Sequence, residues 1–106
     1  MRIIEKNAGP KIDYTVTGTV VALGHDELAL DMAEIQDDWD IHVNVCYTKK
    51  HTMTTGRGGI TYVAEFDIPA REYTESEEEG SVPVPLDMEK VTMSLWAIDD
   101  GEEENA

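Results

Sequence analysis

Residues 39–68 read WDIHVNVCYTKKHTMTTGRGGITYVAEFDI, and this stretch decides the fold class. Trp39, Ile41, Val43, Val45 and Tyr47 alternate with Asp40, His42, Asn44, Cys46 and Thr48. Ile60, Tyr62, Ala64, Phe66 and Ile68 do the same against Thr61, Glu65 and Asp67. Successive side chains of a strand point to opposite faces, so a period of two in Val, Ile, Tyr and Phe predicts half-buried strands. Two further segments carry the same period. Ile12, Tyr14, Val16, Gly18, Val20 and Ala22 oppose Asp13, Thr15, Thr17 and Thr19, and Val91, Met93, Leu95 and Ala97 oppose Lys90, Thr92 and Ser94. Trp96 and Ile98 break the last alternation, which implies a bulge or a strand covered on both faces.

Residues 27–36 (ELALDMAEIQ) fit two templates. Leu28, Met32 and Ile35 suit one face of a short helix with Asp26 as its N-cap, whereas Leu28, Leu30 and Met32 suit a strand turned back through Gly24 to Asp26. The strand is preferred. Val82 to Leu86 (VPVPL) lacks two amide protons and is confined to an extended edge or polyproline-like segment. Turn signals fall near Gly24, Gly56 to Gly59 and Gly80. The expected fold is all-β and mainly antiparallel. It is a small single-domain β-sandwich or partly open barrel over residues 1–98, with the sandwich favoured because no periodic glycine kinks mark barrel corners.

The chain has 106 residues and a formal charge of −15. Eight Lys and Arg cannot assemble the basic surface that phosphate neutralisation or an anionic membrane requires, so direct nucleic-acid and membrane binding are not expected. Residues 1–64 hold nine acids and six bases, and residues 65–106 hold fourteen acids and two bases. Five acids lie in EYTESEEE (Glu72 to Glu79) and five in DDGEEEN (Asp99 to Asn105). These runs are expected to be a solvated connection at 72–80 and a disordered tail at 99–106. The single cysteine, Cys46, permits no internal disulfide, and MRIIEKNAGP has no apolar h-region. A cytoplasmic or otherwise intracellular protein, or one built into a particle, without a signal peptide is therefore expected.

Against this acidity stands one basic island. The loop at 48–59 carries Lys49, Lys50, His51 and Arg57, no acid, and the glycines Gly56, Gly58 and Gly59. Hairpin loops usually run about two to five residues, so this one is either a solvated tip or an arm engaged by something. GRGG does not have P-loop spacing. His42, Cys46, His25 and His51 form no ligand motif, and Asp37, Asp38 and Asp40 lack calcium-loop spacing, so no metal and no cofactor are expected. No Ser, Cys or Lys sits in a catalytic motif, and no enzyme activity is expected.

The function these features suggest is a non-catalytic protein–protein interaction or assembly module. It would be homo-oligomeric through the basic loop meeting an acidic surface, comparable by analogy alone to small virion or tail components. Lys49, Lys50, His51, Arg57 and Gly58 are the candidate interaction residues, joined by Trp96 because it falls on the polar phase. Two alternatives are an acidic decoy of a nucleic-acid-binding protein and a small-ligand-binding β domain using Trp39, Trp96 and the tyrosines.

Overall fold

The computed structural model of the chain describes residues 1–98. Ten strands, β1 (Arg2–Glu5), β2 (Tyr14–Thr17), β3 (Val20–Leu23), β4 (Leu28–Asp31), β5 (Ile41–Thr48), β6 (Met53–Thr54), β7 (Gly59–Ile68), β8 (Tyr73–Ser76), β9 (Gly80–Pro83) and β10 (Thr92–Leu95), are joined by one short helix, α1 (Met32–Ile35), and a 3-10 turn at Met88–Lys90. A five-stranded sheet runs β1-β10-β7-β5-β6 and a three-stranded sheet runs β2-β3-β4. Among the described residues, strands β8 and β9 pair only with each other. All pairings are antiparallel except β1 with β10. The all-β, mainly antiparallel class is the one the alternation predicts, and neither sheet closes into a barrel. None of the described helices is long and apolar enough to cross a membrane. The acidic run at 99–106 lies outside the described residues.

One apolar cluster joins the two sheets. Val21 and Leu23 of the smaller sheet share it with Val45, Tyr47, Val63, Ala64, Phe66, Ile68, Met93 and Leu95 of the larger, and Ile12, Met32 and Val91 complete it. Phe66 and Met93 stand opposite one another across β7 and β10, and Ala64 stands opposite Leu95. Burying this face is what makes both sheets worth forming, since each fully buried Val, Leu, Ile or Phe contributes about 1.5–3 kcal/mol of transfer free energy.

Several expectations are corrected. The run from Ile12 to Ala22 is not one strand. Thr17 and Val20 pair across the two-residue turn Gly18-Thr19, with Gly18 at φ +60°. A positive φ at the first central residue alone is the type II′ hairpin, whose twist matches the strands it joins. The turn also swaps the buried phase: Val21 and Leu23 are buried, while Tyr14 and Val16, opposite them on the edge strand, stay exposed.

Residues 27–36 satisfy both templates in succession. β4 ends at Asp31, whose side chain caps α1 by accepting a hydrogen bond from the Ala33 amide at 3.0 Å. The Thr19 hydroxyl donates to the same carboxylate at 2.6 Å. The cap is therefore Asp31 and not Asp26.

Trp39 precedes the strand it was expected to join and is 62% exposed. The β7 alternation is broken by a bulge. Val45 pairs with Ala64 but Cys46 pairs with Tyr62, so Val63 is the extra residue between them. Val63 is buried and Tyr62 is turned onto the outer face, 48% exposed; Ile60, 70% exposed, is the extra residue of a second register shift, since Tyr47 pairs with Thr61 and Thr48 with Gly59.

The acidic segment 72–80, expected as a solvated connection, is exposed and is built as the β8–β9 ribbon, with Glu77, Glu78 and Glu79 as its turn and Gly80 at φ +76°. Val82 and Pro83 close the ribbon, which agrees with a segment barred from central strands.

Candidate functional site

Two oppositely charged features sit at opposite ends of the β5–β7 pair. Ile41 pairs with Ile68 at one end and Thr48 with Gly59 at the other. Seven residue steps at ~3.4 Å separate these ends by roughly 24 Å.

The basic end is an ordered hairpin. The 48–59 loop contains the short strand β6, whose Met53 and Thr54 pair with Tyr47 and Cys46 on the side of β5 away from β7. Thr48 organises the turn. Its amide donates to the Thr52 carbonyl and its carbonyl accepts from the His51 amide, both at 2.8 Å. Its hydroxyl accepts from the Lys50 amide at 3.2 Å. His51 takes φ +63° and stacks on Tyr47, with ring centroids 4.0 Å apart and planes 12° from parallel. The Glu27 carboxylate on the β3–β4 turn accepts from the Met53 amide at 3.4 Å. Lys49, Lys50 and Arg57 are exposed and enter none of the ion pairs among the described residues.

The acidic end is braced by the aspartates before β5. Asp40 accepts from the Ala70 amide at 2.9 Å. Asp38 accepts from the Arg71 guanidinium at 3.0 Å and from the Tyr73 hydroxyl at 2.6 Å. Arg71 also donates to the Gln36 carbonyl, and buried Gln36 donates to the Pro69 carbonyl. The acids at 37–40 thus clamp the root of the ribbon. Along the ribbon, Glu72 holds Lys90 at 2.8 Å and Glu75 accepts from the Ser81 hydroxyl at 2.8 Å. Glu77, Glu78 and Glu79 make no ion pair among the described residues.

Between these ends, the outer face of β5 and β7 carries a polar network around His42. Asp67 Oδ1 lies 2.6 Å from Nδ1, while Asn44 Oδ1 at 2.9 Å and Glu65 Oε1 at 3.1 Å face Nε2. All three partners present acceptor oxygens, so the ring satisfies them only with both nitrogens protonated. The bond to Asp67, foremost, raises the His42 pKa above 6.5 against the opposing effect of burial. The other Glu65 oxygen accepts from Trp96 Nε1. The two carboxylates flank opposite sides of the imidazole and do not converge on one point. Among the described residues no set of three His, Cys, Asp or Glu side chains forms a metal-holding cluster.

Cys46 follows His42 by four strand positions, roughly 13 Å away, too far for a thiolate–imidazole pair. Burial, and then the nearby Glu65 carboxylate, push its thiol pKa up. That is opposite to the shift an activated nucleophile needs.

The structure gathers Lys49, Lys50, His51, Arg57 and Gly58 at one end of the sheet and places Trp96 elsewhere. β10 ends at Leu95, so Trp96 is neither bulged nor buried within a double-faced strand. Its amide donates to the Val63 carbonyl at 3.0 Å, and its half-buried ring stacks on Tyr62 at 5.5 Å. Lys6 lies over the same indole at 5.7 Å. Sequence reasoning missed the ribbon as a structured element, although Tyr73, Thr74 and the turn former Gly80 signal it. No family model, curated protein or solved structure matches the chain.

Proposed function

We propose that the protein is an assembly module whose subunits join head to tail, the basic arm of one copy against the acidic ribbon of the next. The supporting observation is the separation of two oppositely charged clusters along the β5–β7 axis. Among the described residues Lys49, Lys50 and Arg57 at one end enter no ion pair, and Glu77 to Glu79, which enter none either, belong to a ribbon rooted at the other. Complementary patches at opposite ends satisfy one another only between copies, and contacts of that heterologous kind build rings or filaments. Both elements are ordered hairpins, so association requires little loop ordering.

Light scattering after size exclusion, at low and high salt, tests this reading. Assembly is expected at low salt and dissociation as screening shortens the interaction range. Reversing the arm (Lys49→Glu, Lys50→Glu, Arg57→Glu) or the ribbon tip (Glu77→Lys, Glu78→Lys, Glu79→Lys) abolishes self-association. Mixing the two variants restores a complex in which acidic arm meets basic ribbon. A monomer at every concentration and salt level, or no rescue on mixing, overturns it.

The ordered ribbon also supports the acidic-decoy alternative, because its carboxylates are held on a hairpin. A salt-sensitive complex with a basic nucleic-acid-binding protein, lost in the ribbon variant and kept in the arm variant, would favour that second reading.

A further inference from the structure

A hollow of about 300 Å³ opens on the outer face between β5, β7 and the 55–56 segment. Tyr62 and Ile60 form its apolar wall, Asn44 and Thr55 supply polar groups, and Cys46 and Gly59 lie at its base. Three other depressions carry charged side chains, among them Asp40, Asp67 and Lys90 in one, Glu72 and Asp87 in another, and Lys11, Asp13 and Glu27 in a third. This hollow has none among the described residues, in a chain of which 29% is charged.

Its shape follows from local sequence. A Cβ on Gly59 would stand 2.5 Å from Cys46 Cβ and 3.1 Å from Sγ, so only glycine lets the strands close there and leaves the space above the thiol open. The Val63 bulge turns Tyr62 outward, opposite Cys46. By strand order Tyr62 stands between the hollow on the β5 side and Trp96 on the β10 side. The Trp96 indole, tied to Glu65, props the phenol ring. Asn44 offers its Oδ1 to His42, and its Nδ2 has no hydrogen-bond partner among the described residues.

We infer that this hollow binds the pyranose ring of an uncharged sugar. An anion seated there would lose water with no basic side chain among the described lining residues to receive it, which is costly. A purely apolar guest would leave the Asn44 amide and Thr55 hydroxyl desolvated and unpaired. A neutral ring with one C–H face and several hydroxyls meets both demands. The C–H face lies on Tyr62, and the hydroxyls take the Asn44 Nδ2–H and Thr55 Oγ1. The volume sits at the small end of ligand sites, enough for one ring. A dozen or so ligand atoms in an open site correspond to a dissociation constant of about 1–10 mM.

Fluorescence titration and saturation-transfer NMR on the full chain test the inference, in a Trp39→Phe background so that Trp96 is the sole indole. Methyl glucoside, methyl galactoside and methyl N-acetylglucosaminide represent free sugars, the corresponding trisaccharides represent glycan chains, and glucuronate is the charged counterpart. At least one neutral glycoside is expected to saturate, glucuronate to bind at least ~10-fold more weakly, and Asn44→Ala to lose ~10-fold or more in affinity. Thr55→Val, at an exposed position, repeats the test if Asn44→Ala disturbs folding. Tighter binding of a trisaccharide assigns a glycan chain, and equal binding a free sugar. The inference is overturned if no neutral sugar saturates, if both variants bind as the parent does, or if glucuronate binds equally well. Thr55, Gly56 and Gly59 belong to the basic arm, so the titrations are run at high salt, where copies are expected to be apart, and a failure of the assembly reading leaves their outcome unchanged.

Discussion

Replacing His42 by Asn removes the one group whose protonation the outer-face network demands. Because the folded-state pKa is raised above 6.5, chiefly by the bond to Asp67, the native state holds more protons than the unfolded chain just above that pH. Stability then falls as pH rises, since the slope of unfolding free energy follows protons bound in the unfolded minus the native state. The His42 contribution is complete below 6.5 and disappears as pH passes through the raised folded-state value. Its size is limited by water. The His42 side chain is 46% exposed and Asp67 57%, although Glu65 is only 17% exposed. A buried charge-assisted bond would contribute about 1.5–3 kcal/mol, but exposed pairs contribute about 0.2–1 kcal/mol, and the upper part of the second range suits this geometry. For a domain of this size about 1 kcal/mol corresponds to roughly 4–8 °C in Tm. Calorimetry of wild type and His42→Asn between pH 6 and 9 should show a Tm advantage of wild type by roughly 4 °C or more at the acid end, shrinking toward pH 9. Asp67→Asn should flatten most of that difference. A wild-type advantage that is independent of pH, or that grows with pH, refutes the reasoning.

Three further outcomes follow from packing and electrostatics. Phe66→Ala should cost about 3–5 kcal/mol by urea titration, because Phe66 is fully buried in the cluster both sheets share; a loss below about 1 kcal/mol would mean that the sheets do not depend on a common core. Gly59→Ala and Gly18→Ala should be destabilising for different reasons. The first forces β5 and β7 apart at Cys46, costing about 1–3 kcal/mol and shifting NMR resonances of both strands, whereas the second meets no atom within 4 Å and costs about 1–2 kcal/mol through its φ of +60° alone, leaving distant resonances in place. Cys46 should react with a disulfide reagent near neutral pH more slowly than a free thiol, and Glu65→Gln should quicken it by removing one cause of the raised pKa; faster-than-free reaction in wild type would contradict its burial.

The long strands were legible because both faces of β5 obey one alternation from Ile41 to Tyr47. The failures have identifiable causes. A type II′ turn such as Gly18-Thr19 preserves the apparent period of two while exchanging core and solvent phases, so Val16 and Val20 look equivalent in sequence. A bulge such as Val63 does the same within one strand, and its apolar neighbours Ile60 and Tyr62 look like core until the pairing with Cys46 is known. The β8–β9 ribbon has no buried side chain to reveal it, because its order comes from backbone pairing and from the Asp38, Arg71 and Tyr73 clamp at its root, formed between residues more than thirty positions apart. Of the candidate residues, the Lys49 to Gly58 group was legible from composition, as the only sizeable basic island. The His42 network was not, because which acids lie beside a histidine on a sheet is set by strand register.

The parallel pairing of β1 with β10 has a consequence for the order of events during folding. Arg2 meets Thr92 across ninety positions of sequence, and β10 is the strand inserted between β1 and β7. Contacts of that separation close late, since the entropy of joining distant segments is lost before the sheet rewards it. A ribosome-bound chain can complete the smaller sheet and the β5–β7 pair while β7 still waits for its neighbour. During that interval the free edge of β7 is a template for other chains, which is the usual hazard of an unpaired strand. Glu65 and Asp67 stand on the outer face of that strand, and charges beside an open edge disfavour its pairing with other chains until the last strand arrives.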